Sequence, residues 1–372
     1  MIGKRNFFLI CLALIFFCFQ RICPTCTDNL DKMIGQLIII GFHDENGEGL
    51  KAIKAQIEKG EIGGVVLFRH NIKNKRQLRK MTDQIRGVRS KYIPFIAVDQ
   101  EGGSVARIDS SNGFIDFPSP KEIAQKSPEE AYKIYSKMAK LLKQYNFNLN
   151  FVPCVDLDIN EKSIISKRHR SYGNTVPKVC QFAQICIRAH AESNIATSLK
   201  HFPGHGSCGE DTHEAFADTT RVWIDIELEP YRFLLNGGDD VSLTMVMTCH
   251  IFNKNHDDKY PASLSKNVIE DMLRLNLKFD GVVISDDLDM KAVAEHYSLE
   301  EIVLQALNAG TDILLFANYH KFDIEIPNKV RRIIKEAVAN GKLDKNKIKR
   351  SFRRVIALKQ KIANRAPSRR FS

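Results

Sequence analysis

No G-x-G-x-x-G turn follows the first strand predicted in this chain; the residues there read GFHDENGEG, from Gly41 to Gly49. A doubly wound sheet that binds a dinucleotide uses that spacing to bring backbone onto a pyrophosphate, so its absence argues against that fold. The metal spacings H-E-x-x-H and Cys₂His₂ are missing too. Nine cysteines are an odd number: Cys11, Cys18, Cys23 and Cys26 crowd the start, while Cys154, Cys180, Cys186, Cys208 and Cys249 are scattered. That usage argues against a full disulfide framework. Cys23-x-x-Cys26 has no second half and no βαβ context, so it reads as neither a metal nor a redox pair. No nucleic-acid motif accompanies the net charge of +11.

The uncharged run Phe7–Phe19 is also too short to cross a bilayer comfortably, which takes about 20 residues. Preceded by Lys4 and Arg5, it has the form of a secretory signal, and residues 1–26 are read as a leader. Export to a periplasmic or extracellular space is expected. Neither a clean A-x-A site nor a good lipobox before Cys18 or Cys23 follows, so anchoring by an uncleaved leader stays open.

The positive charge is concentrated at the other end. From Asn328 to Ser372 there are 16 Lys/Arg against Glu336 and Asp344, a net of +14, which leaves −3 for the rest of the chain. Val330, Ile333, Ile334 and Val338 keep a helical apolar stripe there, so residues 326–372 read as basic helices packing on or extending from the domain before them. The charge is then a solvated face; the alternative is a patch with weak attraction for an anionic envelope polymer or membrane surface.

Between these ends, short apolar runs alternate with helical patterns. Strands are predicted in 35–43, 63–70, 94–102, 147–157, 195–202, 243–251, 281–288 and 312–318, and helices in 73–90, 128–145, 178–193, 265–275 and 298–309. Strands buried on both faces read as near-continuous apolar runs, as these do. Eight such runs, each followed by room for a helix, predict an α/β fold: a single (β/α)₈ barrel over residues 30–325. A barrel carries its active site at the C-terminal strand ends, where the polar residues gather: His70, Asp99, Asp156, Lys200 with His201, His250, and Asp286 with Asp287. Packing alone does not account for that distribution, which points to an enzyme.

Two of these exits carry the chemistry. VVISDD ends a strand with two carboxylates, and because successive strand residues face opposite ways, one is expected to enter the site and the other, Asp287, to cap the next helix. KHFPGHGSCGEDTHE, residues 200–214, holds three histidines. His201 and His205 would share a helix face, but Pro203, Gly204 and Gly206 forbid a helix, so no metal and no cofactor is expected. The stretch reads instead as a mobile loop with Gly204, Gly206 and Gly209 as hinges. Asp211 and His213, two apart on an extended segment, can pair so that the carboxylate fixes the ring and the other nitrogen moves a proton.

KHFPGHG followed by D-T-H, with AVDQEGG and GVVISDDLDM, resembles the family 3 glycoside hydrolases, in particular the single-domain β-N-acetylglucosaminidases (β-hexosaminidases), from about Gln36 to Asn318. The resemblance implies Asp286 as nucleophile, His213 as general acid/base and Asp211 as its orienting partner. It further implies that Asp99, Arg107, Arg170, Lys200 and His201 bind the sugar. Ser104 and His70 stand where the family usually has arginine. The expected activity is that of a retaining exo-β-N-acetylglucosaminidase acting on peptidoglycan fragments or chitooligosaccharides as a monomer, with a carbohydrate rather than a nucleic acid as partner. A phosphorylase using phosphate as acceptor and an inactive sugar-binding envelope protein are the alternatives.

Overall fold

The computed structural model describes residues 29–44, 47–212, 216–237, 241–319 and 322–364. The leader and His213 therefore lie outside the described residues. Eight parallel strands among the described residues form the barrel: β1 (Ile38–Ile40), β2 (Gly64–Leu67), β3 (Phe95–Val98), β4 (Leu149–Asn150), β5 (Thr197–Phe202), β6 (Thr244–Thr248), β7 (Val283–Ser285) and β8 (Leu314–Phe316). Hydrogen bonding runs β8-β1-β2-β3-β4 in one ladder and β5-β6-β7 in the other. Single bridges at Leu149–Ala196 and Cys154–Lys200 join β4 to β5, and Ile284–Ile313 joins β7 to β8, which closes the ring.

Each strand falls inside one of the predicted runs but is shorter, because the run continues into a buried loop after the ladder ends. The fourth run shows this most: only Leu149 and Asn150 pair as strand, while Phe151 to Leu157 stay buried without a ladder. The predicted helices appear as Lys75–Arg86, Pro128–Gln144, Val176–Glu192, Asn267–Asn276 and Leu299–Ala309. Local chemistry sets their starts. Asn74 caps the first, and Ser127 with Glu130 makes a reciprocal capping box ahead of Pro128.

The basic C-terminal segment forms helices Ile326–Ala339 and Lys345–Asn364, both packed on the barrel core. Val330, Ile334, Phe352, Val355 and Ile356 are buried in it, while Arg331 and Lys335 pair with Asp31, and Arg354 with Asp280 and Asp312. Lys359 enters the barrel floor. Its Nζ donates to Gln36 Oε1 and to the Gly63 carbonyl, both at 2.7 Å, and lies over the Phe95 ring. None of the described helices is long and apolar enough to cross a membrane.

Candidate active site

At the C-terminal ends of the strands a cavity of about 450 Å³ opens, lined by Asp99, Arg107, Arg170, Lys200, His201, Asp211, Asp286 and Asp287, with Phe68, Met247 and Tyr319 among its apolar wall. The structure thus brings together every predicted site residue that it describes. Three strands deliver these residues at or just past their ends: Asp99 follows β3, Lys200 and His201 end β5, and Asp286 follows β7.

A buried chain of charge runs across the floor. Lys200 Nζ sits 2.8 Å from Asp99 Oδ1 and 2.7 Å from Glu101 Oε1, and Arg107 approaches Asp99 Oδ2 at 3.5 Å. Arg170 grips both oxygens of Glu101 through Nε and Nη2, and the same Nη2 meets His201 Nε2 at 3.0 Å. On its far side His201 Nδ1 lies 2.6 Å from Asp156 Oδ2. Three acids (Asp99, Glu101, Asp156) therefore face three permanent cations (Arg107, Lys200, Arg170). Burial alone would raise the carboxylates, but their partners win: Lys200 and Arg107 hold Asp99 below the usual range, Arg170 and Lys200 hold Glu101 well below it, and His201 and His205 hold Asp156 at about 2. The same acids hold the Lys200 ammonium above its ordinary value despite burial. Such a lattice presents fixed donors and acceptors to a hydroxyl-bearing ligand.

Glu101 is absent from the predicted site residues, and Asp156 is named there only as a polar residue at a strand end, with no role. Glu101 sits inside the AVDQEGG stretch, where its place before two glycines suggests only a turn; what reveals it is its contact with Arg170 and Lys200, far along the chain.

Asp286 is held by its own backbone, whose amide donates to Thr248 O at 2.9 Å, and its Oδ1 accepts the Asp287 amide at 2.8 Å. The chain leaves the β7 ladder at Ser285, and Asp286 and Asp287 are both among the residues lining the cavity. Asp287 does not cap a helix. The next one, Lys291–Ala294, starts after Met290 without a side-chain cap, and Asp287 Oδ1 instead accepts the amides of Ala317 and Asp289. Burial and the neighbouring Asp289 carboxylate push Asp287 upward.

The loop after β5 departs from expectation at its base. Residues 203–208 are buried, and the Glu227 carboxylate takes the amides of Gly206 and Ser207 at 2.7 and 3.2 Å. Gly204 and Gly206 are there for close packing rather than as hinges: a Cβ would lie 2.5 Å from Glu227 Cβ and 2.1 Å from Leu157 O, respectively. At Gly209 a Cβ would make an ordinary contact with Asn160 Nδ2 at 3.6 Å. The Thr212 carbonyl accepts from the Ala292 amide, which ties this part of the loop to the helix Lys291–Ala294. Ser104 turns its hydroxyl to the Arg168 carbonyl, and His70 Nε2 meets Phe42 O.

Cys154, Asp156 and His201 place three metal-capable atoms together. His201 Nδ1 and Asp156 Oδ2, however, stand at hydrogen-bond distance, 2.6 Å, too close to be two ligands of one tetrahedral ion with bonds of about 2.0–2.2 Å. They form a hydrogen-bonded dyad that orients the ring.

The profile of the glycosyl hydrolase family 3 N-terminal domain matches residues 29–358, a span that takes in most of the C-terminal helices. Beta-hexosaminidase A of Pseudoalteromonas piscicida is 28% identical over 91% of this chain and 62% of its own length. A beta-hexosaminidase of Tolumonas auensis is 34% identical over 69% of this chain and 76% of that protein. Among solved structures, a family 3 β-N-acetylglucosaminidase from Paenibacillus sp. FPU-7 superposes with a TM-score of 0.80 at 30% identity, over 93% of this chain and 65% of the other. A family 3 member from Mycobacterium smegmatis gives 0.77 at 26% identity, over 90% and 98%. The chain thus spans under two thirds of the Pseudoalteromonas and Paenibacillus proteins.

Proposed function

The chain belongs to glycosyl hydrolase family 3, and from that premise we propose that it is a retaining exo-β-N-acetylglucosaminidase. The observation that carries this reading is the placement of Asp286 and Asp211 on one cavity with the Asp99–Lys200 pair and His201. The polar floor holds the glycon hydroxyls; Asp286 attacks the anomeric carbon as the leaving oxygen takes a proton from His213. The resulting glycosyl ester is then hydrolysed by a water that His213 deprotonates, returning Asp286 as a carboxylate. A histidine in this role avoids setting a second carboxylate against the first.

Peptidoglycan fragments or chitooligosaccharides are the proposed substrates, and the enzyme is proposed to act after export, in line with Lys4, Arg5 and the apolar run behind them. The excess of lysine and arginine in the C-terminal helices fits a weak attraction to anionic envelope polymer.

The test is covalent and kinetic. A 2-fluoro glycosyl inhibitor is expected to label Asp286, and label on Asp287 or on another strand would defeat the assignment. His213→Ala should slow a disaccharide far more than a nitrophenyl glycoside, because general acid help of about 10²–10⁴-fold is needed only for the poorer leaving group. Azide should restore the nitrophenyl rate and give a β-glycosyl azide. Equal losses without rescue would leave His213 no part in proton transfer.

A further inference from the structure

Gln100 stands between the two carboxylates Asp99 and Glu101, yet its own side chain is 1% exposed and is not among those that line the cavity. Both of its polar atoms are spent on one stretch of backbone. Oε1 accepts the amides of Arg107 and Ile108 at 2.9 and 3.0 Å, and Nε2 donates to the Ile108 carbonyl at 2.9 Å. The loop after β3 is thereby folded back on itself, with a Gly102–Val105 bridge across its tip, so that Asp99 and Arg107 meet in one cavity. Asn112 holds the other side of Arg107. Its Nδ2 donates to the Arg107 carbonyl at 2.8 Å while its Oδ1 accepts the Asp109 amide at 3.0 Å.

The guanidinium of Arg107, by contrast, has little to hold it. Its contact with Asp99 is long, 3.5 Å, and its Nε is buried without a hydrogen-bond partner among the described residues. It lies over the Phe68 ring at 5.7 Å, a contact that fixes no donor direction. Arg170 differs, being gripped on Glu101 by bonds of 3.0 and 2.8 Å. Arg107 therefore takes its aim from its backbone. A buried donor left without a partner at a cavity wall calls for an explanation, and a ligand oxygen would satisfy it.

Gln100 is anchored in turn. Asn150, fully buried at the end of β4, accepts the Gln100 amide at 2.9 Å and donates through Nδ2 to the Gln100 carbonyl at 3.1 Å. The same Nδ2 lies 3.1 Å from His190 Nε2, which requires that nitrogen as acceptor and places the ring proton on Nδ1, 2.9 Å from the Cys186 carbonyl. Burial pushes His190 down to about 4, so above that pH the ring keeps this neutral form. A buried polar network with its groups satisfied is rigid.

We propose that Gln100 is a positioning residue for Arg107, and that the neutral chain His190–Asn150–Gln100 fixes where that guanidinium points. This inference rests on the reading of the cavity as the glycon site. Aim set by neutral amides through the backbone leaves the guanidinium free to change partners. An entering hydroxyl takes up Nε and displaces only a stretched contact with Asp99, and no short ion pair has to break. The arginine is held ready without being occupied.

A double-mutant cycle on nitrophenyl β-N-acetylglucosaminide tests this, with wild type, Gln100→Met, Arg107→Ala and the double variant, each checked by its thermal midpoint. Methionine keeps the length of glutamine and removes its donor and acceptor. Gln100→Met should lower kcat/KM by about 10- to 100-fold, chiefly through KM, because a guanidinium displaced by about one ångström no longer meets the sugar. In the Arg107→Ala background the same change should cost less than about 3-fold, since no guanidinium is left to aim. Equal losses in both backgrounds would make Gln100 a general support of the fold and overturn the proposal. So would an unchanged kcat/KM in Gln100→Met. Should Gln100→Met not fold, Gln100→Asn runs the same cycle with the same deciding outcomes, since it keeps the amide and shortens its reach by a methylene. Wild type that is active and labelled on Asp286, with an additive cycle, removes this inference alone. Wild type inactive and unlabelled by the fluoro sugar removes the parent reading and this one with it.

Discussion

Glu101 Oε1 lies 2.7 Å from Lys200 Nζ, and the two side chains are only 1% and 2% exposed. The same carboxylate holds Arg170 by two nitrogens. Removing its charge leaves two buried cations to share Asp99 and Asp156. Glu101→Gln should therefore destabilise the fold by about 3–5 kcal/mol, the usual cost of breaking a buried pair. Urea unfolding at pH 7 measures it; a loss below about 1 kcal/mol, the ordinary worth of an exposed pair, would mean that water already screens the cluster.

The His201–Asp156 spacing makes a second prediction. Because the two atoms share a hydrogen bond instead of an ion, dialysis against EDTA should leave glycosidase activity intact and elemental analysis should find no stoichiometric zinc. Activity that falls with one zinc per chain and returns when zinc is added back would require the dyad to open around a metal.

How much of this was legible in the sequence follows from which interactions are local. β1 to β8 are marked by continuous apolar runs because both faces of each strand are covered, and Asp99, Lys200 and Asp286 stand out as polar residues ending such runs. Glu101 and Glu227 are invisible at that level, since each matters through partners that only barrel closure brings near. Gly204 and Gly206 show the opposite failure. Glycine in a loop suggests motion, but here the missing Cβ makes room for Glu227 and Leu157. Asp287 was misread as a cap because the alternating rule for strands was carried past the last rung of the ladder, at Ser285.

Lys359 gives a stability prediction at the barrel floor. Burial lowers its ammonium from 10.5 to about 7. Between pH 7 and 10.5 the unfolded chain holds a proton that the native chain has released, so this group makes stability rise with pH across that window. Lys359→Met, close in length and without the charge, should flatten that rise and be the more stable protein at pH 6. Guanidinium melts of both proteins from pH 6 to 10 provide the comparison. Parallel curves would show that the Gln36 and Gly63 acceptors keep the ammonium charged throughout.

Glu227 carries the opposite sign. Burial is the main cause of its rise from 4.5 to about 7, with the Asp156 charge adding to it and the Gly206 and Ser207 amides opposing it. Between pH 4.5 and 7 the native carboxyl keeps a proton that the unfolded chain has lost, so its contribution makes stability fall as pH rises through that window and stay level above it. His205, lowered to about 4 by burial and by His201, works the other way from pH 4 to 6.5, so wild-type stability alone does not isolate Glu227. The difference from Glu227→Gln does, because glutamine keeps an oxygen for the two amides and cannot ionise. The variant should match wild type near pH 4.5 and exceed it by up to about 3 kcal/mol above pH 7, since each tenfold change in proton affinity is about 1.4 kcal/mol. Losing the charge should also leave the base of the 203–212 loop equally protected from amide exchange at pH 5 and pH 8, whereas wild type should change between them. A variant less stable than wild type at every pH would mean that Glu227 is ionised throughout and that its charge, not its shape, holds Gly206 and Ser207.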